Sequence, residues 1–123
     1  MLNTQRGKRF ESVLKRKLKD RGFKVLKLAI PETADLVLLN NKPIVIECKV
    51  CNKTQWYRKN LKQYDRLLEM RNEGYGVLIA VKFTSFDSVI KFFKIDDTYP
   101  FRVDSGKTLD EFVQSLIIED VKK

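Results

Sequence analysis

Histidine is absent from this 123-residue sequence, and several other residue types are scarce. Without histidine the chain cannot carry a Ser-His-Asp or Cys-His catalytic centre, nor one of the usual His-ligated zinc sites. Its two cysteines, Cys48 and Cys51, are too few for a disulfide framework or a four-thiolate cluster. No apolar run approaches the roughly 20 residues of a membrane span. An enzyme built from this chain must therefore use carboxylates, lysines, hydroxyls or thiols.

The chain does have enough apolar and aromatic material for a folded core. Hydrophobic residues make up 43% of it, including eight Phe, four Tyr and one Trp, which argues against disorder. Its length is typical of one domain, and there are no repeats or linker-like stretches. We therefore predict a single domain over residues 1–123. A polar and then basic N-terminus, without an apolar signal segment, predicts a cytoplasmic protein.

Positive charge is concentrated at one end of the sequence. The net charge is +9, and residues 1–27 alone hold ten basic and two acidic residues. Such a concentration is typical of a protein that binds a polyanion, although a solvated basic helix face would look the same. Few large apolar residues accompany these charges, which argues against a membrane surface. We expect nucleic acid as the partner, with phosphate contacts from Arg6, Lys8, Arg9 and Lys15.

The spacing of apolar residues predicts an α/β fold with a mixed sheet of about five strands flanked by helices. Helices are predicted over residues 4–21, 55–72 and 108–121, and strands over residues 23–28, 34–39, 44–50, 76–83 and 88–95. The turn at residues 40–43 predicts a hairpin between the second and third strands. A helix between the third and fourth strands predicts a parallel crossover. The continuous apolar strand at residues 76–83 is predicted to be central.

Three acids and a lysine fall where this fold would bring them together. Glu47 and Lys49 share one face of the third strand, because side chains alternate along a strand. The hairpin brings Asp35 towards Glu47, and Glu11 lies beside the apolar stripe of the first helix. Carboxylates beside a lysine suit a hard divalent cation such as Mg²⁺, which can activate water for attack on a phosphate. The alternative is a simple Glu47–Lys49 ion pair on a solvent-exposed face.

Asp35, eleven intervening residues and then Glu47-Cys48-Lys49 resemble the PD-(D/E)xK nuclease signature. Residues 6–14, 21–25 and 74–83 are similar to the opening helix, the helix-to-strand turn and the central strand of archaeal-type Holliday junction resolvases. This resemblance spans roughly residues 6–83 and implies a restriction-endonuclease-like core with αβββαββα order. Ala34 stands where the signature has proline, and the loop at residues 29–33 is shorter than usual. It also lacks the Ser-Gly-rich segment that carries a catalytic serine in several resolvases.

The resemblance implies a metal-dependent, structure-specific DNA endonuclease that resolves four-way (Holliday) junctions by paired phosphodiester hydrolysis. Glu11, Asp35, Glu47 and the backbone carbonyl of Cys48 would hold Mg²⁺, for which Mn²⁺ could substitute, and Lys49 would orient the nucleophile. Two auxiliary candidates are Gln63, which is otherwise an ordinary exposed helix residue, and Thr33, the hydroxyl nearest to Asp35. Expected partners are branched double-stranded DNA and a second copy of the chain, with no membrane and no small-molecule cofactor. The setting would be an archaeal cell or a virus-infected host cell.

Aromatic residues lead to two further predictions. Trp56 and Tyr57 precede Arg58, Lys59 and Lys62, a mixture that could grip a DNA backbone and stack on unpaired bases. We predict DNA contacts for the three cations and packing for Trp56. The second prediction concerns adjacent Phe92 and Phe93, which must face opposite sides of their strand. The ring that does not fit the core is predicted to form a dimer interface with Tyr99, Phe101, Phe112 and Leu116. Alternatively, the last helix simply covers its own sheet.

Two other functions fit the same residues. One is a PD-(D/E)xK nuclease that acts on flaps, mismatches or single strands. The other is a nonenzymatic basic DNA-binding protein, although such a protein has no need of Asp35, Glu47 and Lys49. A metal-dependent nicking assay separates an enzyme from a binding protein.

Overall fold

The fold is a sheet flanked by three helices, seen in a computed structural model. The structure describes the backbone of residues 2–28 and 34–122 and the side chains of residues 9–28 and 34–118. Its elements are α1 (Leu2–Asp20), β1 (Lys24–Lys27), β2 (Leu36–Leu39), β3 (Ile44–Cys51), β4 (Gln55–Trp56), α2 (Tyr64–Asn72), β5 (Gly76–Phe83), β6 (Val89–Lys94), β7 (Phe101–Arg102) and α3 (Leu109–Lys122). A 3₁₀ turn over Arg58–Asn60 lies between β4 and α2.

The main sheet has five strands in the order β1-β2-β3-β5-β6, which confirms the predicted mixed α/β architecture. β2 and β3 form the expected antiparallel hairpin, and β3 runs parallel to β5 after the α2 crossover. Gly76 opens β5 where a Cβ atom would lie 2.9 Å from Ile44 Cγ1, so the absence of a side chain permits this close approach. The predicted central position of residues 76–83 is confirmed, since β5 pairs with β3 on one side and with β6 on the other. Such a strand is buried on both faces, which accounts for its continuous apolar run.

The predicted helix over residues 55–72 is correct only from Tyr64 onward. Gln55 and Trp56 instead form β4, which pairs antiparallel with β7 and places Trp56 opposite Phe101. The two rings stack with centroids 5.8 Å apart, and both are buried. Burial of large aromatic side chains against each other favours this short second sheet over a longer helix.

Each face of the sheet carries its own apolar core. Helices α1 and α3 cover one face, where the core includes Phe10, Leu14, Leu18, Ile46, Cys48, Phe92, Phe112 and Leu116. Helix α2 and the β4–β7 sheet cover the other, where the core includes Ala34, Val45, Trp56, Leu61, Leu67, Ile79, Phe93 and Phe101. Since side chains alternate along β3, Glu47 and Lys49 belong to the same face as Val45.

The predicted dimer surface is wrong, because its side chains pack within their own chain. Phe92 stacks on Phe112 of α3 at a centroid distance of 4.6 Å, and Phe93 stacks on Phe101 at 4.2 Å. Leu116 is also buried, and half-buried Tyr99 stacks on Phe101. Adjacent phenylalanines do face opposite sides, but each side has a core to receive one. The alternative, in which the last helix covers its own sheet, is correct. None of the helices among the described residues is long and apolar enough for a membrane span.

Candidate active site

Asp35 lies just before β2 and is anchored to the two residues that flank Glu47. Its backbone N–H donates to the carbonyl of Ile46 at 3.1 Å, and its carboxylate Oδ2 accepts the N–H of Cys48 at 2.8 Å. On the other side, the carbonyl of Asp35 accepts the N–H of Leu28 at 2.9 Å. The structure thus brings the Asp35 carboxylate beside Glu47, where the hairpin was expected to place it.

Glu47 is a buried acid in the middle strand of the sheet, with only 2% of its surface exposed. Burial raises its pKa to about 9, and the hydrogen-bonding contact and negative charge of Asp35 act in the same direction. The positive charge of Lys49 opposes this shift only in part. Within the described residues, Glu47 Oε2 has no hydrogen-bond partner. The alternative of a solvated Glu47–Lys49 pair is therefore wrong, because Glu47 is not at the surface.

Glu11 joins the cluster from α1. Its pKa is raised by burial and by the nearby Asp35 carboxylate, while Lys27 lowers it. The Lys27 ammonium nitrogen lies 3.6 Å from Glu11 Oε2. Asp35 is the common neighbour of the other two acids, since its carboxylate raises the pKa of both Glu11 and Glu47. Among the described side chains, those of residues 9–28 and 34–118, no group of three acidic, cysteine or histidine side chains is arranged to hold a metal ion.

Cys48 faces the acid cluster with its backbone rather than with its side chain. Its thiol is buried in the core, where burial and the surrounding acids raise its pKa, so it is neither exposed nor ionised. In an antiparallel ladder one residue presents its N–H and its C=O to the same neighbour. Because the Cys48 N–H points to Asp35, its carbonyl oxygen faces the same side as the Asp35 carboxylate.

A basic groove of about 360 Å³ runs from Glu11 along α1. Its cations are Lys15, Arg16, Lys19 and Lys27. Of these four cations, only Lys15 is predicted from the sequence to contact DNA phosphates. Lys19 could have been found as well, since Glu11, Lys15 and Lys19 recur every four residues and share one helix face. Lys27 could not, because its approach to Glu11 depends on how β1 packs against α1.

The remaining predicted residues fall into three groups. Arg9 is exposed on α1, whereas the side chains of Arg6 and Lys8 and all of Thr33 lie outside the described residues. Arg58, Lys59 and Lys62 are exposed. Gln63 is half-buried directly before α2, and its Oε1 atom is buried without a hydrogen-bond partner in the described part of the chain. It is therefore not an ordinary exposed helix residue.

The sequence matches the family described as archaeal Holliday junction resolvase (hjc) over residues 2–120. The chain belongs to this family. The resolvase is similar in fold to a solved structure of Archaeoglobus fulgidus Hjc, a Holliday junction resolvase from an archaeal hyperthermophile. The TM-score is 0.67 at 22% sequence identity, and the similarity covers 89% of this chain and 96% of that one. No curated protein matches the sequence.

Family membership decides between the functions that the sequence left open. The resolvase is a structure-specific endonuclease of Holliday junctions, so branched DNA is its substrate. The nonenzymatic alternative is thereby excluded. Nucleases of this family are generally metal-dependent.

Proposed function

We propose that this resolvase cuts two opposed strands of a Holliday junction in a Mg²⁺-dependent reaction, with its active site at the Asp35–Glu47 pair. The observation that carries the proposal is the buried Oε2 atom of Glu47, which has no partner among the described residues and lies beside a second carboxylate. Burying such an oxygen without compensation is costly. A cation bound there would satisfy the oxygen and neutralise the repulsion between the two acids.

The donors present fit a hard divalent cation. Mg²⁺ prefers carboxylate and carbonyl oxygens, and Asp35, Glu47, Glu11 and the Cys48 carbonyl offer only oxygen. Mn²⁺ accepts the same ligands and should substitute for it. When bound, such a cation supplies an activated water and stabilises the charge of the reacting phosphate.

The other residues of the site position these groups. The Cys48 N–H fixes the Asp35 carboxylate, and Lys27 holds Glu11. Lys49, half-buried on the same face of β3 as Glu47, would place its ammonium group near the nucleophile. Gln63 offers a buried oxygen that has no hydrogen-bond partner among the described residues, which suits an auxiliary role in orienting water. Thr33 stays an auxiliary candidate on sequence grounds alone.

Paired cleavage also requires a particular assembly. One chain carries one such site, whereas a four-way junction has two opposed scissile strands. A two-fold symmetric homodimer would supply both sites in one complex, and isologous contacts are the commonest route to that symmetry. We further propose that residues 1–123 act as one nuclease domain, without a small-molecule cofactor, in the cytoplasm of an archaeal cell or of a virus-infected host cell.

The test is cleavage of a labelled four-way junction, together with flap, mismatched, single-stranded and linear duplex substrates, at several Mg²⁺ and Mn²⁺ concentrations. Asp35→Asn and Glu47→Gln should each reduce cleavage to less than about one hundredth of wild type, because each removes a metal ligand. Glu69→Gln is the matched control, since Glu69 is an exposed acid that pairs only with Arg66 among the described residues. Affinity for the junction without metal should stay within about twofold, because these acids do not bind phosphate.

Near-wild-type cleavage by Glu47→Gln would show that the active site lies elsewhere. Equal cutting of flaps and junctions by the wild type would contradict cleavage specific to the four-way junction.

A further inference from the structure

We propose that Tyr57 is a specificity residue whose ring stacks on an unstacked base at the branch point of the junction. This inference rests on the proposed function, since it assumes that the DNA is cut beside Asp35 and Glu47. It is a separate claim about substrate discrimination. It assigns to one side chain the preference for a branched substrate over a continuous duplex.

Tyr57 is the aromatic residue of its segment that faces outward. Trp56, directly before it, is buried against Phe101, whereas Tyr57 is 44% exposed. The Tyr57 hydroxyl donates a 2.9 Å hydrogen bond to Gln55 Oε1, which restrains the ring. Nearly half of the side chain is therefore open to a partner.

The backbone beneath Tyr57 is firmly supported. The β4 residues before it pair with β7, and the N–H of Val103 donates to the carbonyl of Thr54 at 2.9 Å. The 3₁₀ turn follows directly, closed by the N–H of Asn60 donating to the Tyr57 carbonyl at 3.0 Å. An exposed ring on a fixed backbone loses little conformational entropy when a ligand stacks on it.

The charges around Tyr57 favour a nucleic acid as the stacking partner. Arg58, Lys59 and Lys62 follow it in sequence and are exposed, and none of the three pairs with a carboxylate in the described part of the chain. The Lys59 ammonium nitrogen lies 5.8 Å from the centre of the Tyr57 ring. A cationic surface with an accessible aromatic face is the combination that binds single-stranded nucleic acid, the cations on the backbone and the ring on a base.

The position of this segment fits a contact close to the scissile phosphate. Leu61, at the end of the 3₁₀ turn, shares an apolar core with Ala34, which directly precedes Asp35. The segment that carries Tyr57 and the side chain of Glu47 are thus on the same side of the sheet, the side that α2 covers. A continuous duplex offers no exposed base face, whereas bases at a branch point can be unstacked. Stacking by Tyr57 would therefore favour branched DNA.

The experiment measures binding in EDTA, so that no cleavage occurs, to a four-way junction and to a linear duplex of equal length. Tyr57→Ala should weaken junction binding by about 5- to 100-fold and change duplex binding by less than twofold. Tyr57→Phe keeps the ring and should retain most of the junction affinity. Tyr75→Ala is the matched control, since Tyr75 is another exposed tyrosine, at 38%, placed just before β5.

A second measurement distinguishes the loss of base stacking from a general disturbance of the fold by the substitution. Junctions that lack a base at one branch-point position should bind the wild type more weakly than the intact junction, while Tyr57→Ala should lose less from the same change. The salt dependence of binding should be unaltered in Tyr57→Ala, because tyrosine carries no charge at neutral pH, whereas Lys59→Ala should lower its slope by about one.

Equal weakening of junction and duplex binding by Tyr57→Ala, or additive effects of Tyr57→Ala and base removal, would overturn the stacking role. Failure of the proposed active site would appear separately, as unimpaired cleavage by Glu47→Gln.

Discussion

The ammonium group of Lys27 lies 3.6 Å from the carboxylate of Glu11, which links β1 to α1 at the rim of the acid cluster. Lys27 is half exposed, whereas the Glu11 side chain is mostly buried. Burial and the Asp35 carboxylate both raise the pKa of Glu11, and the charge of Lys27 opposes them. Lys27 therefore favours the ionised form of Glu11, which is the form that can bind a cation.

Replacing Lys27 should impair cleavage more than a lost surface charge would. We expect Lys27→Met to lower the single-turnover rate on bound junction by about tenfold and to raise the Mg²⁺ concentration needed for half-maximal cleavage. Lys27→Arg keeps the charge and should retain most activity. Lys24→Met, an exposed lysine on the same strand, is the control and should leave the rate unchanged. If Lys24→Met and Lys27→Met behave alike, the Glu11 contact has no special role.

The position of Asp35 in the site could be predicted from the sequence, whereas the contact of Lys27 with Glu11 could not. Asp35 and Glu47 could be paired from the sequence because a short turn fixes the register of their strands. Lys27 meets Glu11 only through the packing of a helix on a strand, and no local spacing encodes that distance. The same limit explains Trp56, whose partner Phe101 lies far along the chain. It also explains Phe92 and Phe93, whose stacking partners Phe112 and Phe101 reach them only through tertiary packing.

Replacing Glu47 with glutamine should stabilise the metal-free protein. Glutamine has nearly the same shape as glutamate, is neutral, and its amide can still donate to Asp35. Burial and Asp35 raise the pKa of Glu47 to about 9, so at neutral pH this carboxyl must take up a proton when the metal-free chain folds, a cost that glutamine does not have. Glu47→Gln should increase the free energy of unfolding by on the order of 2 kcal/mol at pH 8 in EDTA, measured by denaturant titration.

The pH dependence of the same experiment has a definite sign. A carboxyl whose pKa is higher in the folded than in the unfolded state stabilises the fold fully below its unfolded value of about 4.5. That contribution is lost progressively as the pH rises through about 9. Wild-type stability in EDTA should therefore fall over this range more steeply than that of Glu47→Gln. Parallel curves for the two proteins would contradict the raised pKa.

The groove along α1 should bind phosphates without regard to sequence. We expect Lys15→Ala and Arg16→Ala each to reduce the slope of log affinity against log salt by about one, because each releases about one counterion fewer. Lys42→Ala is the control, since Lys42 lies in the β2–β3 turn, at the opposite end of β2 from Asp35. Filter binding to a linear duplex at several salt concentrations gives the slopes. An unchanged slope for both groove variants would place the phosphate contacts on another surface.

Paired cleavage predicts a distinct product pattern from mixed dimers. Wild-type protein should convert a supercoiled plasmid with an extruded cruciform directly into linear DNA, because both sites cut before the complex dissociates. Dimers that combine one wild-type chain with one Glu47→Gln chain hold one active site and should leave nicked circles. Light scattering at low micromolar concentration should give about twice the 14.5 kDa chain mass. Retained junction cleavage by a protein of monomer mass, or linear product from the mixed dimers, would contradict the two-fold mechanism, because each outcome lets one site cut both strands.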